Sequence, residues 1–254
     1  MKYARMQASD WGAFKRADEP VKRRLVVALD GLEKSGKNHF AFTAPAPLAV
    51  ISTDVGTEGV IQKFQGLKEM WVSERKWSPP RRKDNLEEAA AAGRRVWDAL
   101  VEDYLVAMKR ARSIVWDTGT EFWEVLRVAR FGKLDQVKPH HYGPVNAEYR
   151  ELLRMAYDSD HTNLIILHKR KDEYVNNEYT GGTRRAGFAD TGFLVQVNGT
   201  TWRGEGEVPD CFHMTIADCR HDPALAGVDL SGEDFTFARL ATLVLPETSE
   251  DDWI

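Results

Sequence analysis

Four apolar runs in the first two-thirds of the chain predict the strands of a buried sheet. They are RLVVALD at 24–30, LAVIST at 48–53, SIVWD at 113–117 and NLIILH at 163–168. Each run is continuous rather than alternating, which is typical of parallel strands that are covered on both faces. Two later runs, FLVQVNG at 193–199 and CFHMTIADC at 211–219, also have strand character.

Segments of helical composition separate these runs. A short helix is expected up to about Thr43, a long one over residues 85–112 with Asn85 as its N-cap, and further helices over 118–130 and from Pro144 onwards. Strands interleaved with helices predict an α/β fold, with a mainly parallel central sheet flanked by helices and late strands that can run antiparallel. The basic, proline-broken segment 71–84 is predicted to be an exposed loop.

Composition narrows the class of protein. The chain has 254 residues, of which 43% are hydrophobic, so it can bury a sizeable core in one large domain. We predict an arm at 1–23, a core at 24–245 and an acidic tail at 246–254. No run is long enough to span a membrane and no secretory signal is recognisable, so a cytoplasmic location is expected. Cys211 and Cys219 are too few for a disulfide scaffold or a four-cysteine zinc site.

The net charge of −4 excludes a protein that coats nucleic acid by bulk charge alone. The charges are unevenly distributed, however. Residues 1–24 carry seven basic and three acidic side chains, whereas 247–252 carry four acidic side chains and no basic ones. The distribution leaves room for nucleic-acid binding on local basic segments.

The segment GLEKSGKN directly follows the first apolar run. It fits the phosphate-loop pattern G-x-x-x-x-G-K-[ST] except at its last position. Glycines in such a loop let backbone N–H groups surround phosphates, and its lysine reaches the β- and γ-phosphates. The predicted nucleotide-binding residues are Gly31, Leu32, Glu33, Lys34, Ser35, Gly36, Lys37, Asn38 and His39. The alternative is a structural glycine turn between a strand and a helix.

Two residues are predicted to hold Mg²⁺ with the bound nucleotide. Asn38 stands where the pattern has a hydroxyl, and an amide oxygen can ligate a hard cation with less compact geometry. We therefore expect weakened magnesium binding or a shifted metal. Asp117 ends the SIVWD strand, where a carboxylate would hold the metal through water. The alternative is that Asp117 caps the following helix.

Hydrolysis requires a group that orients the attacking water. Asp54, at the end of the second apolar run, is the first candidate and Glu58 is the second. Glu121 is interpreted as helix first-turn charge. His168 ends the fourth run at the same sheet edge and is predicted to sense the γ-phosphate; the alternative is a structural, hydrogen-bonded histidine.

Taken in order, the phosphate loop and the segments LAVISTDVGTEG, IVWDTGTEFWEVL, YGPVNAEYRELL and LIILHKRKDEY resemble RecA/RadA-like P-loop ATPases. They are most similar to the short, core-only recombination and annealing ATPases of tailed bacteriophages, over about residues 24–220. The resemblance implies an ATPase that uses ATP and Mg²⁺ and acts on single-stranded DNA. It places Asp54 where the family has its water-activating glutamate, and His168 at the polar sensor.

The same resemblance implies that residues 169–190 form a mobile DNA-binding loop. Its basic residues are Lys169, Arg170, Lys171, Arg184 and Arg185, and Tyr174 and Tyr179 are candidate stacking platforms. Basic groups with aromatic rings are typical of sequence-tolerant single-strand binding. A solvated charged hairpin is the alternative, and Arg184 or Arg185 could instead serve a neighbouring subunit as an arginine finger.

A homo-oligomer, either a ring or a filament, is expected from the same family. RadA-type recombinases polymerise through a Phe-x-x-Ala segment ahead of the core, and Phe14 and Ala17 have this spacing here. A single-strand annealing or binding protein is a further expected partner. The acidic tail is expected to be solvated, or to occupy the protein's own DNA groove.

Two other functions remain open. The first is a P-loop phosphotransferase acting on a small molecule, with residues 75–83 as an arginine-rich lid. The second is a nucleotide-gated assembly protein that has lost hydrolysis through the departures at Asn38 and Asp54.

Overall fold

The computed structural model describes residues 21–54, 59–81, 83–135, 137–176, 178–204 and 211–254. Its strands are β1 (Val26–Gly31), β2 (Leu48–Ser52), β3 (Met70–Glu74), β4 (Ser113–Asp117), β5 (Asn163–Val175), β6 (Glu178–Arg185), β7 (Val197–Arg203), β8 (Phe212–Cys219) and β9 (Asp229–Ser231). Its α-helices are α1 (Lys37–Ala41), α2 (Ile61–Phe64), α3 (Leu86–Arg110), α4 (Gly119–Phe131), α5 (Tyr142–Asp158) and α6 (Phe237–Val244).

The sheet has the strand order β3-β2-β4-β5-β1-β7-β8-β9. The pairs from β3 through to β7 are parallel, whereas β8 runs antiparallel to both β7 and β9. This confirms the predicted α/β class with a mainly parallel sheet, flanking helices and late antiparallel strands. Because β5 lies between β1 and β4, the phosphate-loop strand and the Asp117 strand are separated by one strand.

Each face of the sheet is covered by its own apolar cluster. On one face, Val27, Leu29 and Ile165 pack with α1 and α6 side chains such as Phe40 and Phe237. On the other face, a cluster that includes Trp97, Trp116 and Tyr149 packs helices α3, α4 and α5 on the sheet. Burial on both faces explains why the central strands are continuously apolar in the sequence.

The helix boundaries follow local capping chemistry. Asn85 caps α3 by accepting from the backbone N–H groups of Glu87 and Glu88, as predicted. Thr118 caps α4 by accepting from Glu121 N, so the cap is one residue beyond Asp117. Helix α5 starts at Tyr142, two residues before the predicted start at Pro144.

Two strand predictions require correction. Residues 70–74 form the edge strand β3, although 71–84 was expected to be a loop. The side chains of β3 are exposed or half-buried. An edge strand that pairs only with β2 needs little apolar character. Strand β7 starts at Val197 rather than at Phe193, because residues 189–194 form a 3₁₀ helix in which the Phe193 side chain is exposed.

The acidic C-terminal segment is packed onto the domain and is not a free solvated tail. Residues 250–253 form a 3₁₀ helix in which Trp253 is fully buried. Its ring lies 6.1 Å from that of Phe237, and its Nε1 donates to Thr248 Oγ1 over 2.9 Å. The acidic side chains surround a buried aromatic anchor, and that anchor holds the segment in place.

We expect Trp253→Ala to lower the free energy of unfolding by about 3–5 kcal/mol, because it empties a large buried site. The matched control is Trp71→Ala on the edge strand, where the ring is 68% exposed; we expect a change within about 0.5–1 kcal/mol there. Urea denaturation of both variants measures the difference. Equal stabilities would show that the C-terminal segment is not anchored through this ring.

Candidate functional site

The phosphate loop runs from the end of β1 to the start of α1. At both of its motif glycines, the neighbouring atoms leave no room for a side chain. A Cβ on Gly31 would overlap the hydroxyls of Ser35 and Thr201. Gly36 has a φ of 94°, and a Cβ there would lie 2.7 Å from the Phe212 ring. The loop is therefore held tightly against β7 and β8, and larger residues at either glycine position would distort it.

Lys37 lies over its own loop. Its Nζ donates to the carbonyl oxygens of Gly31 over 2.9 Å and of Leu32 over 2.7 Å. Burial lowers the pKa of Lys37, while the carboxylates of Asp117 and Asp30 oppose that shift. The loop thus has a cation at the position where its pattern predicts contact with phosphates.

The two predicted metal ligands are in direct contact. Asn38 Nδ2 donates to Asp117 Oδ2 over 3.0 Å, and this contact joins the phosphate loop to the end of β4 across the intervening strand. The remaining amide oxygen of Asn38 and the second carboxylate oxygen of Asp117 are ligand types that Mg²⁺ accepts. The residues present therefore fit a magnesium ion that arrives with a nucleotide.

Asp117 is a buried carboxylate at the end of β4. It is only 3% exposed, and this burial raises its pKa to about 6, with Asp54 and Glu121 adding to the shift. The hydrogen bond from Asn38 and the charge of Lys37 act in the opposite direction. Within the described ranges no three His, Cys, Asp or Glu side chains are placed to hold a metal by themselves.

Asp54 lies beside this pair, at the end of the neighbouring strand. Thr53 N donates to the carbonyl oxygen of Asp117 over 2.8 Å, which fixes the end of β2 against β4. The Asp54 carboxylate lies 3.7 Å from Lys169 Nζ, and the same ammonium is 2.5 Å from Glu121 Oε1. Glu58, the second predicted water-activating residue, lies outside the described residues.

His168 lies at the predicted sheet edge, opposite Asp30 in the pairing of β1 with β5, but the burial of its side chain favours the structural alternative over a phosphate sensor. It is fully buried, and its Nδ1 donates to the carbonyl oxygen of Ala186 over 3.1 Å. Burial, reinforced by the charge of Arg185, lowers its pKa to about 3, so the ring is neutral. Side chains alternate along a strand, and it is the next residue, Lys169, that reaches the carboxylates.

The basic segment after His168 is an antiparallel ribbon, formed by the outer half of β5 and by β6, which agrees with the predicted alternative of a hairpin and not with the mobile loop that the family resemblance implied. Two of its predicted DNA-binding residues face the sheet: Arg170 Nη1 and Arg185 Nε both contact the carboxylate of Asp30. Asp30 is buried at the end of β1 and was not singled out from the sequence. A charged residue closing an apolar strand, next to a phosphate loop, was the available signal.

The outer part of the ribbon carries the other predicted residues. Lys171 and Arg184 are cross-strand partners, and so are Tyr174 and Tyr179 further out. The two tyrosine rings lie 5.7 Å apart and are each more than half exposed. The structure therefore pairs the two basic side chains with each other and the two tyrosines with each other along the ribbon.

The remaining predicted residues divide between the loop and the part of the chain that is not described. Leu32 and Glu33 are exposed on the loop, and Lys34 has a positive φ of 57°. The His39 ring packs 4.8 Å from that of Phe212, and burial lowers its pKa. Phe14 and Ala17 lie outside the described residues, so the oligomerisation segment stays a prediction.

No helix in the described part of the chain is long and apolar enough to cross a membrane. Neither a family model nor a curated protein matches the chain. Among solved structures, the chain is similar to one titled "Crystal structure of the RadB recombinase", with 12% sequence identity and a TM-score of 0.47. The match covers 83% of this chain and 87% of that one. A likeness this distant says nothing about activity, which must be inferred from the side chains of the site.

We expect Asp117→Asn to stabilise the nucleotide-free protein at pH 7.5 by about 1–3 kcal/mol. The folded pKa of about 6 exceeds the ordinary value of 3.8. The protonated carboxyl therefore stabilises the fold below about pH 4, and this contribution is lost as the pH rises through 6. The difference between variant and wild type should grow from near zero at pH 4 to its full size above pH 7.

Urea denaturation across that pH range measures the effect, with Asp98→Asn as the control because its carboxylate is 65% exposed. A constant difference between Asp117→Asn and wild type at all pH values would contradict the raised pKa.

Proposed function

We propose that this protein is a RecA-like ATPase that binds ATP with Mg²⁺, hydrolyses the γ-phosphate and acts on single-stranded DNA in phage-type recombination, annealing or replication. The observation that carries the proposal is the contact between Asn38 and Asp117. It brings the end of a phosphate loop and a buried strand-end carboxylate to one point, with Lys37 beside them. A purely structural glycine turn would have no need of a charged lysine and a buried acid at that place.

Each group then has a defined task. The loop amides and Lys37 would bind the β- and γ-phosphates, while Asn38 and Asp117 would hold the metal. The magnesium ion would neutralise charge on the phosphate oxygens. Asp54 would orient the attacking water and accept its proton. As the water oxygen bonds to the γ-phosphorus, the bond to the bridging oxygen breaks and its electron pair leaves with ADP.

The shorter side chain at Asp54 has a consequence for the rate. An aspartate reaches about one bond less far than the glutamate that the family has at this position, so water must approach closer to the end of β2. Asp54 also contacts the Lys169 ammonium. Slow hydrolysis in the absence of DNA is the expected behaviour.

The outer part of the ribbon is the proposed single-stranded DNA surface. Lys171 and Arg184 would contact the phosphate backbone, and the paired rings of Tyr174 and Tyr179 would stack on bases. Arg170 and Arg185 do not belong to this surface in the proposal, since both contact Asp30. Lys169 is likewise assigned to the nucleotide site.

The phosphotransferase alternative is disfavoured by the position of residues 75–83. They follow β3, which is four strands from β1 in the sheet order. At about 4.8 Å per strand, that is about 19 Å from the phosphate loop. Arg75 also forms two hydrogen bonds with Asp103, and Trp77 packs on the helix-covered apolar cluster. A lid over the nucleotide would have to break these contacts.

For the nucleotide site, we expect Lys37→Ala to weaken ATP binding by about 10- to 100-fold, because charge-assisted hydrogen bonds contribute about 1.5–3 kcal/mol each. Isothermal titration calorimetry with ATP and Mg²⁺ measures the affinity, and a phosphate-release assay measures turnover. Lys109→Ala, in the last turn of α3, is the control and should bind like wild type. Wild-type protein that binds no ATP would refute the proposal, and phosphate transfer to a small acceptor would favour the alternative.

For the DNA surface, we expect the double variant Tyr174→Ala/Tyr179→Ala to weaken binding of an oligothymidylate by at least about tenfold, since stacking contributes about 1–3 kcal/mol per base. Lys171→Ala should lower the slope of log affinity against log salt by about 0.7. Fluorescence anisotropy over a salt series measures both. Trp71→Ala removes an exposed ring on the edge strand β3, three strands from β5, and serves as the control. Unchanged affinity in the tyrosine variant would exclude this surface.

A further inference from the structure

The side chain that reaches the nucleotide edge from β5 is a lysine, and it contacts two carboxylates. Lys169 Nζ lies 2.5 Å from Glu121 Oε1 and 3.7 Å from Asp54 Oδ2. These acids come from different elements: Asp54 follows β2, and Glu121 is in the first turn of α4. One ammonium therefore ties together the ends of three elements around Asp117.

Glu121 is more than first-turn helix charge. Its side chain is only 14% exposed. Its second carboxylate oxygen, Oε2, is buried and has no hydrogen-bond partner among the described residues. The charge of Glu121 also contributes to the raised pKa of Asp117. A solvated helix-terminal acid would have neither the burial nor this electrostatic coupling to the metal ligand.

The backbone of Lys169 is fixed on both sides. Its N–H donates to Thr120 Oγ1 over 3.0 Å, which attaches it to α4 next to Glu121. Its carbonyl oxygen accepts from Ala186 N over 2.8 Å, at the point where the ribbon returns to the sheet. The backbone of the lysine is thus held at two points, while its side chain is 45% exposed.

Three carboxylates around one metal site repel each other unless a cation separates them. Lys37 is directed to the loop carbonyls, so Lys169 is the cation in contact with both Asp54 and Glu121. Resting on the proposed ATPase function, we propose that Lys169 is the positioning residue of hydrolysis: by pairing with Asp54 and Glu121 together, it sets the place from which Asp54 orients the attacking water.

A positioning role for Lys169 predicts a specific change in the kinetic constants. Positioning of the water matters to the chemical step and not to the affinity for ATP, so the loss of Lys169 should change kcat and leave KM nearly constant. Because the Glu121 side chain is only 14% exposed, the loss of its cationic partner also lowers stability, so the rates are compared well below the melting temperature of each variant. A lysine that merely solubilises the edge would affect neither constant.

The experiment compares Lys169→Met, Lys169→Arg and wild type in steady-state ATP hydrolysis without DNA. We expect Lys169→Met to lower kcat about tenfold with KM within about twofold, and Lys169→Arg to recover most of the rate. Lys22→Met is the matched control: Lys22 is 41% exposed and pairs with Asp160 over 2.9 Å, away from the site.

A double-variant comparison tests whether Lys169 acts through Glu121. If it does, Lys169→Met/Glu121→Gln should be no slower than the slower single variant, because both substitutions break the same pair. Multiplicative losses would show independent actions and overturn the inference, as would equal kcat values for Lys169→Met and Lys22→Met.

The outcomes also separate this inference from the proposed function. Wild-type protein that fails to bind ATP in calorimetry contradicts the nucleotide site itself. Wild-type protein that binds ATP but never releases phosphate supports the nucleotide site, contradicts the proposed hydrolysis and, with it, overturns the positioning role. Normal hydrolysis in Lys169→Met overturns the positioning role alone.

Discussion

One buried carboxylate holds the functional edge of this protein together. Asp30 is the penultimate residue of β1, next to the first glycine of the phosphate loop, and its carboxylate accepts hydrogen bonds from Arg170, Arg185 and the hydroxyl of Thr200. A buried carboxylate without partners costs several kcal/mol, so both arginines are needed where they are. Their positions fix the root of the ribbon against the loop. The loop backbone, the Lys169 ammonium and the first turn of α4 are all placed relative to that root.

The charge pattern of the chain has a different meaning once this contact is known. A run of lysines and arginines after a strand suggests a surface for polyanions, and part of the ribbon fits that description. Yet Arg170, Arg185 and Lys169 contact acids of the sheet edge: Asp30, Glu121 and Asp54. The acidic body and the basic segment neutralise each other internally, which is consistent with a small net charge of −4.

Local chemistry made the central sheet and the phosphate loop predictable. Continuous apolar strands, the Asn85 cap and the spacing of the loop are encoded over a few residues, and each agrees with the structure. The edge strand β3 was missed because a strand with one neighbour needs no apolar pattern. Trp253 was missed because its burial depends on contact with Phe237, which no local pattern reveals. The contact of Lys169 with Asp54 and Glu121 was not predicted, because one residue along a strand reverses the side-chain direction and the sequence analysis had singled out His168 for this edge.

The length of the ribbon separates its tyrosines from the nucleotide edge. From Lys169 to Tyr174 the strand advances about 17 Å at about 3.4 Å per residue, so whatever the tyrosines touch is out of reach of the nucleotide. The ribbon is anchored at its root by the contacts of Arg170 and Arg185 with Asp30, and its paired strands extend outward from that anchor. On a rigid ribbon of this length, a tilt of about 10° at the root corresponds to a displacement of about 3 Å at the tyrosines.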